Sequence, residues 1–305
     1  MKIYTLDLLY QNRPNTIAAY LVEGPNGPVL VECGPGSTLP NLIAALADYG
    51  YQPQDIRHLL VTHIHLDHAG AAGWWAQQGT QVYVHRIGAP HLIDPGKLIA
   101  SATRIYQDKM EQLWGDILPA PAESVTSVKD GDVIEVNGLR FTAVDTPGHA
   151  SHHHVFLLKR DEDTIAFVGD LAGVHIPGVD FVDLPAPPPE FHLETWLASI
   201  DRVRAMPIKA IYPTHFDRVD DWQRHFTKLS ALLNNAADFI RVRMEAGLDR
   251  DAILPEYLNW HLERARSAAM PEKIIERYEV ANPHHMSVDG IMRYWRKKGI
   301  GSVIE

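Results

Sequence analysis

Four side chains of metal-binding type fall within six consecutive positions, His63-Ile64-His65-Leu66-Asp67-His68. Imidazole and carboxylate donors suit zinc, and the same set accepts iron or manganese, so ligand type leaves the metal open. The run follows Leu59-Leu60-Val61-Thr62, an apolar stretch that reads as a buried strand. A strand feeding such a cluster delivers several ligands to one strand end, where they can converge on a cation. The bland alternative, a surface histidine patch, fits poorly with a buried strand just before it.

The same grammar recurs: an apolar strand, a small or turn residue, then a ligand-type side chain. His149 follows Leu139–Val144 through Asp145-Thr146-Pro147-Gly148, and Asp170 follows Thr164–Val168 through Gly169. His215 follows Ile208–Tyr212 through Pro213-Thr214, and Glu32 ends Val29–Val31 ahead of Cys33-Gly34-Pro35-Gly36. If these strands share sheets, their ends can cluster.

The elements that must position them alternate between strand and helix. Strands are expected at 17–22 and 29–32 around a Gly/Pro turn, at 56–62 and at 81–84, with helices at about 39–49, 69–78 and 97–114. In the second half, 133–136 and 139–144 form a hairpin around Asn137-Gly138, a two-residue turn signal. Strands at 154–158 and 164–168 flank a charged turn, Lys159–Asp163. Pro185–Pro189 reads as a rigid connection or an active-site wall, followed by a helix at 190–205 and a strand at 208–212. Beyond about 218 strand signals stop, and 221–305 reads as helices broken near Gly247, Pro255, Pro271 and Pro283. A boundary therefore falls near 218–225, dividing a catalytic region, 1–220, from a C-terminal helical region, 221–305. Two strand-rich halves with helices between them predict an α/β (α+β) arrangement of stacked sheets covered by helices.

The 305 residues, 46% of them hydrophobic, allow a sizeable core. Lys and Arg total 28 against 38 Asp and Glu, a net charge of −10, which disfavours a phosphate backbone as partner. The single cysteine, Cys33, cannot form an internal disulfide and reads as a small buried hydrophobe. No signal peptide or bilayer-spanning run is evident, so a cytoplasmic protein without membrane contact is expected. A homodimer is compatible with a helical appendage and apolar loops.

Together with Thr146-Pro147-Gly148-His149, Val168-Gly169-Asp170 and Pro213-Thr214-His215, in that order, the 63–68 run makes the chain resemble the metallo-β-lactamase superfamily over roughly residues 15–218. The resemblance implies a four-layer αβ/βα sandwich with the metal site at one edge of its two sheets. It implies that His63, His65 and His149 hold one divalent cation, that Asp67, His68 and His215 hold a second, and that Asp170 bridges them. Zinc is the first expectation for both. The implied chemistry is attack by a metal-bridging hydroxide on a small ester, thioester or lactone, with Asp67 and Asp170 as catalytic groups and no covalent enzyme intermediate. Glu32 is the expected acceptor behind a ligand histidine, at a position where the family more often has Asp; His153 matches a histidine that supports the site without binding metal.

Departures weigh the branches of that superfamily. Secreted β-lactamases usually carry an export signal and lack the aspartate at the Asp170 position. Flavodiiron proteins usually have glutamate at the His65 position and a flavodoxin domain. Glyoxalase II-like thioesterases share the metal motifs and a helical C-terminal region, but Leu171-Ala172-Gly173-Val174 is unlike their glutathione-contacting stretch. Acyl-homoserine lactonases place a tyrosine where this chain has Gly173. Two alternatives remain from other classes: a mononuclear iron enzyme like the persulfide dioxygenases, and a non-catalytic metal-binding protein.

Other side chains carry two readings each. His175 is a substrate contact or a loop histidine. His152 and His154 flank His153 as strand positions alternating in and out. His284-His285 is a further metal site or, preferred, a loop before a helix capped by Ser287. One of Trp74 and Trp75 is expected in the core and the other at the pocket mouth, and Phe239, Tyr257 and Trp260 are candidates to line the pocket.

Overall fold

The computed structural model describes residues 2–160 and 162–301. Among them the first sheet runs β1 (Ile3–Asp7), β2 (Ala18–Gly24), β3 (Gly27–Val31), β4 (His58–Leu60), β5 (Gln81–His85) and β6 (Val125–Val128), in that spatial order. The second contains β7 (Val133–Val136), β8 (Leu139–Asp145), β9 (His154–Arg160), β10 (Asp163–Phe167) and β11 (Ala210–Tyr212), with β11 and β7 at its edges. The helices are α1 (Leu39–Asp48), α2 (Leu66–Ala69), α3 (Ala72–Gln77), α4 (Ala89–Ile93), α5 (Gly96–Tyr106), α6 (Met110–Trp114), α7 (Leu193–Arg204), α8 (Trp222–Glu245), α9 (Arg250–Ser267), α10 (Glu272–Ala281) and α11 (His284–Lys297).

Strands buried on both faces produce the layering. In β2, Ala18, Tyr20 and Val22 point between the sheets, while Ala19 and Leu21 point the other way. The intersheet core adds Val29, Val31 and Leu60 from the first sheet and Phe141, Phe156 and Phe167 from the second. Outside the first sheet Leu42, Leu46 and Trp75 cover Leu21, Leu59 and Val82. Outside the second, Trp196, Ile200, Trp222 and Phe226 cover Val144, Val155 and Ala166. The result is the expected four-layer αβ/βα sandwich. The C-terminal helices continue the last layer: α8, α9 and α11 share one core with α7.

Strand direction sets where the site forms. β3 and β4 run parallel, as do β10 and β11, and β8 is two antiparallel steps from β10. The C-terminal ends of β3 and β4, and of β8, β10 and β11, are the ends from which Glu32, the 63–68 run, His149, Asp170 and His215 emerge. The two sheets are joined at that edge: His154 donates its backbone N–H to the Thr62 carbonyl (3.0 Å), and Ala18 donates to the Thr214 carbonyl (2.8 Å).

Several local expectations are corrected. The expected strand 56–62 contracts to His58–Leu60, because its last residues already turn toward the cluster. The expected helix 69–78 is two helices, α2 and α3, and α2 begins at Leu66, inside the ligand run. The helix expected at 97–114 breaks after Tyr106, where Gln107 takes φ 48°. Pro255 does not end a helix; it lies inside α9. The helix persists through its missing N–H because Ile253, Tyr257, His261 and Ala265, at i, i+4 spacing, are all buried. Asp161 of the charged turn lies outside the described residues, as do the last four of the C-terminal region.

His284 is the first residue of α11, after Pro283, so Ser287 is not its cap. Ser287 instead donates to the Leu184 carbonyl (2.9 Å) and accepts from the Ala186 N–H (3.2 Å), pinning α11 to the proline loop. Beside it, buried Asp183 accepts from Asn282 Nδ2 (2.8 Å) and His284 Nε2 (2.9 Å), and His284 Nδ1 meets Glu279. His261 packs against His284 with ring centres 3.7 Å apart and the rings tilted by 45°. This polar knot ties α9, α10 and α11 to the segment between Asp170 and the proline loop.

Candidate metal centre

Each ligand-type side chain reaches the site from a strand end and is aimed by a partner behind it. His149 donates Nδ1–H to the Pro185 carbonyl (2.8 Å), and His215 donates Nδ1–H to the Thr16 carbonyl (2.6 Å). In both rings this leaves Nε2 bare and turned inward. Glu32, at φ 63° and 1% exposed, stands behind His68, its Oε1 3.4 Å from His68 Nδ1. It also accepts from the Thr62 hydroxyl and the Thr214 hydroxyl, so it braces both sheets at the site. His153 accepts the Asp170 backbone N–H at Nε2 (3.2 Å), which leaves Nδ1–H for the Thr146 hydroxyl (2.8 Å). His153 therefore positions Asp170 and presents no free nitrogen.

Seven side chains come together as two adjoining groups, His63, His65, His149 and Asp170, and Asp67, His68 and His215, each with ligand atoms within 4.8 Å of one another. Asp170 lies between them. Its Oδ2 is 3.2 Å from His149 Nε2, and its Oδ1 is 3.2 Å from His68 Nε2 and 3.6 Å from His215 Nε2. Asp67 Oδ2 is 3.3 Å from His215 Nε2 and 3.7 Å from His68 Nε2. His65 Nδ1 is 2.9 Å from His149 Nε2.

The donor set fits divalent cations. His63 Nε2, His68 Nε2, His215 Nε2 and Asp170 Oδ1 are buried without a hydrogen-bond partner, all at the meeting point of the two groups. Buried polar atoms rarely go unpaired, and four around one point imply a shared partner. Burial holds His63 well below the ordinary imidazole range, reinforced by the neighbouring histidines, so it is neutral, as a ligand must be. Burial alone would raise the Asp67 carboxyl; His68 and His215 outweigh it and hold it at about 2.

A cavity of about 450 Å³ opens above these groups. His65, Asp67, His149 and Asp170 form its floor; Pro185, Pro187, Pro188 and Pro189 form one wall. The opposite wall comes from Tyr10 and from α5 and α6, including Leu98, Tyr106 and Trp114, and Val280 to Pro283 with Met286 close the end.

Other expected contacts fall elsewhere. Phe239, Tyr257 and Trp260 pack together, Phe239 and Trp260 stacked at 5.2 Å, and line no part of the cavity; α8 and α9 cover the second sheet, and among the described residues of the C-terminal helices the α10–α11 corner alone reaches the site. Trp75 is buried and Trp74 packs beside it against the first sheet's outer core, so neither reaches the mouth. His175 donates Nδ1–H to the Phe216 carbonyl (3.2 Å) and supports the segment after His215. His152 and His154 are both buried and do not alternate: His152 faces Glu190 across 3.2 Å, and His154 donates Nε2–H to the Val61 carbonyl (3.1 Å). Tyr10, Tyr106 and Trp114 escaped the sequence reading. Their local signal was slight: Tyr10 precedes a break with Asn12, Pro14 and Asn15, Trp114 precedes Gly115, and Tyr106 has no turn residue beside it.

The profile of the metallo-beta-lactamase superfamily matches residues 12–215. Among curated proteins, an atrochrysone carboxyl ACP thioesterase from Cryptosporiopsis sp. is 27% identical over 172 residues, 56% of this chain and 40% of that protein. The chain thus spans less than half the length of this relative. A metallo-beta-lactamase fold-containing protein of Sulfurisphaera tokodaii is 24% identical over 214 residues, 66% of this chain and 73% of that one. Among solved structures, a metallo-beta-lactamase family protein from Thermus thermophilus superposes with a TM-score of 0.66 at 22% identity, covering 97% of this chain and 94% of the other.

Proposed function

This chain belongs to the metallo-β-lactamase superfamily, and from that premise we propose that it is a hydrolase of esters or thioesters that works with two divalent cations, zinc foremost. One observation carries the reading: Asp170 presents one carboxylate oxygen to each of two complete ligand groups. The retained group Asp67, His68 and His215 favours a pair of cations over a single iron. The likeness to a thioesterase supports the bond class. A lactonase-type tyrosine has no room at Gly173, where φ is +64° and a Cβ would lie 2.4 Å from the Asp183 carbonyl oxygen.

His63, His65 and His149 would hold one cation, Asp67, His68 and His215 the other, with Asp170 shared. Bound there, they supply Lewis acidity that polarises a carbonyl and brings the pKa of water toward about 7. The chain does the rest. The Pro185 and Thr16 carbonyls keep His149 and His215 in one tautomer. The proline wall and α5 shield the floor from bulk water. Among the site's carboxylates, Glu32 and Asp170 are 1% and 3% exposed and Asp67 is 21% exposed. Asp67 is thus the carboxylate within reach of the cavity, ionised and able to accept a hydrogen bond that orients the attacking water.

Metal analysis of the purified chain, joined to an assay panel of acyl esters and acyl thioesters, tests this. Two equivalents of metal, and hydrolysis that chelation removes and metal restores, are expected. One equivalent, together with oxygen uptake on a persulfide, overturns it in favour of an iron oxygenase.

A further inference from the structure

Tyr10 and Tyr106 enter the cavity lining from two segments far apart in sequence, and Trp114 binds them into one unit. The Tyr10 and Trp114 rings stack at 5.8 Å, and Tyr106 meets Trp114 edge-on at 5.0 Å. All three line the cavity that exposes Asp67.

The backbone is bent out of its preferred regions to place both phenols. Leu9 and Gln11, on either side of Tyr10, take φ 47° and 50°, and Gln107, directly after Tyr106, takes φ 48°. Asp7 holds the first of these bends by accepting from Leu9 N–H (3.0 Å) and Asn15 N–H (2.9 Å). Left-handed backbone at residues other than glycine costs energy and persists where surrounding structure enforces it, which is most often at functional sites. Here the bends flank two tyrosines that line one cavity.

The hydroxyls are spare. Among the described residues the Tyr106 hydroxyl forms no hydrogen bond, and the Tyr10 hydroxyl meets only the exposed Gln11 side chain. By contrast, buried Tyr20 and Tyr278 donate to the Pro213 and Phe181 carbonyls. Burial, with the Asp67 charge added, pushes both cavity phenols above the ordinary tyrosine range, so both remain neutral donors near neutral pH.

Much of the remaining lining is apolar, with Ile64, Leu66, Leu98, Ala102 and Leu113 and the two-fifths-exposed Ile87 and Ile105, while Gln11, His91, Ser101, His152, Glu190 and Asn282 add polar groups. The lysine of the lining, Lys97, is exposed. A charged acyl group would find no buried counter-charge beyond the floor.

We propose that Tyr10 and Tyr106 touch the substrate, donating hydrogen bonds to the oxygen of the scissile carbonyl, and that the substrate is an ester or thioester with an uncharged, apolar acyl group lying between these rings and the proline wall. The proposal rests on the hydrolase reading for the reaction and on the cavity itself for the ligand. As negative charge gathers on the carbonyl oxygen, a phenol O–H already aimed at it strengthens its hydrogen bond without moving.

Tyr10→Phe and Tyr106→Phe keep the rings and the stack on Trp114 and delete only the donors. On acetyl, octanoyl and succinyl esters and thioesters, the wild type should prefer octanoyl over succinyl. Tyr106→Phe should lower kcat on octanoyl substrates about 10- to 100-fold with KM within about threefold, at unchanged metal content. Trp114→Leu should raise KM instead. Calorimetric titration with octanoate gives a second readout, in which each phenylalanine variant should bind several-fold more weakly than wild type. Active wild-type protein whose two phenylalanine variants match it in kcat and in octanoate affinity overturns the proposal, as does a preference for succinyl substrates. If the wild type hydrolyses nothing yet binds octanoate in a way that needs Tyr106, the hydrolase reading falls and the binding site stands; equal affinity in all three proteins removes the site as well.

Discussion

At the scale of single residues, the ligand side chains are recognisable by type and spacing, but their aim is set by groups that carry no motif. The Pro185 and Thr16 carbonyls orient His149 and His215, and neither belongs to a ligand run. Glu32 could be picked out as an acceptor because it ends an apolar strand; its contacts to Thr62, His68 and Thr214 depend on three distant segments meeting. Glu32→Ala removes the carboxylate behind His68 and should weaken metal affinity about 10- to 100-fold, measured by competition with a chelator. Affinity equal to that of the wild type would show that Glu32 serves the fold alone. Tyr10 and Tyr106 were illegible for the opposite reason: a tyrosine beside a turn looks the same whether it packs, caps or faces a ligand.

At the scale of elements, periodicity exposed the buried strands and the 133–144 hairpin, and turn chemistry placed most connections. It failed where tertiary contacts overruled propensity, as in α9, whose buried i, i+4 face carries the helix through Pro255. The loop from β8 to β9 shows how an element delivers a ligand. Gly148 takes φ 133°, and its carbonyl accepts the His192 N–H (2.8 Å) just ahead of α7. A Cβ there would lie 2.3 Å from Trp196 N and Cα, so no side chain fits without moving the helix or His149. Gly148→Ala should cost about 3 kcal/mol in urea unfolding and loosen the metal as well. An unchanged unfolding midpoint would mean that α7 slides to make room.

At the scale of the whole molecule, the C-terminal helices are held by the Asp183 knot, and its charge state gives the fold a pH dependence. Burial alone would lower the His284 pKa, but Asp183 and Glu279 outweigh it and push it up to about 9, against 6.5 when exposed. A cation whose folded pKa is raised contributes its full stabilisation below pH 6.5 and loses it as pH rises through about 9. His261, packed against it with the rings tilted, is held neutral at about 4 by burial, and Asp183 stays ionised because the charged His284 and Arg264 overcome its burial. The thermal-stability advantage of wild type over His284→Gln should therefore be largest near pH 6 and vanish by about pH 10. A constant difference in melting temperature across that range would assign His284 a packing role only. From the sequence by itself came the stacked sheets and the seven donors, because apolar runs and short strand-to-ligand connections are local patterns, while the four-layer αβ/βα order came with the family resemblance. The tertiary structure alone decided which carbonyls aim His149 and His215, which helices roof the cavity and which tyrosines line it. Those depend on segments tens to hundreds of residues apart, brought together by core packing that no local spacing records.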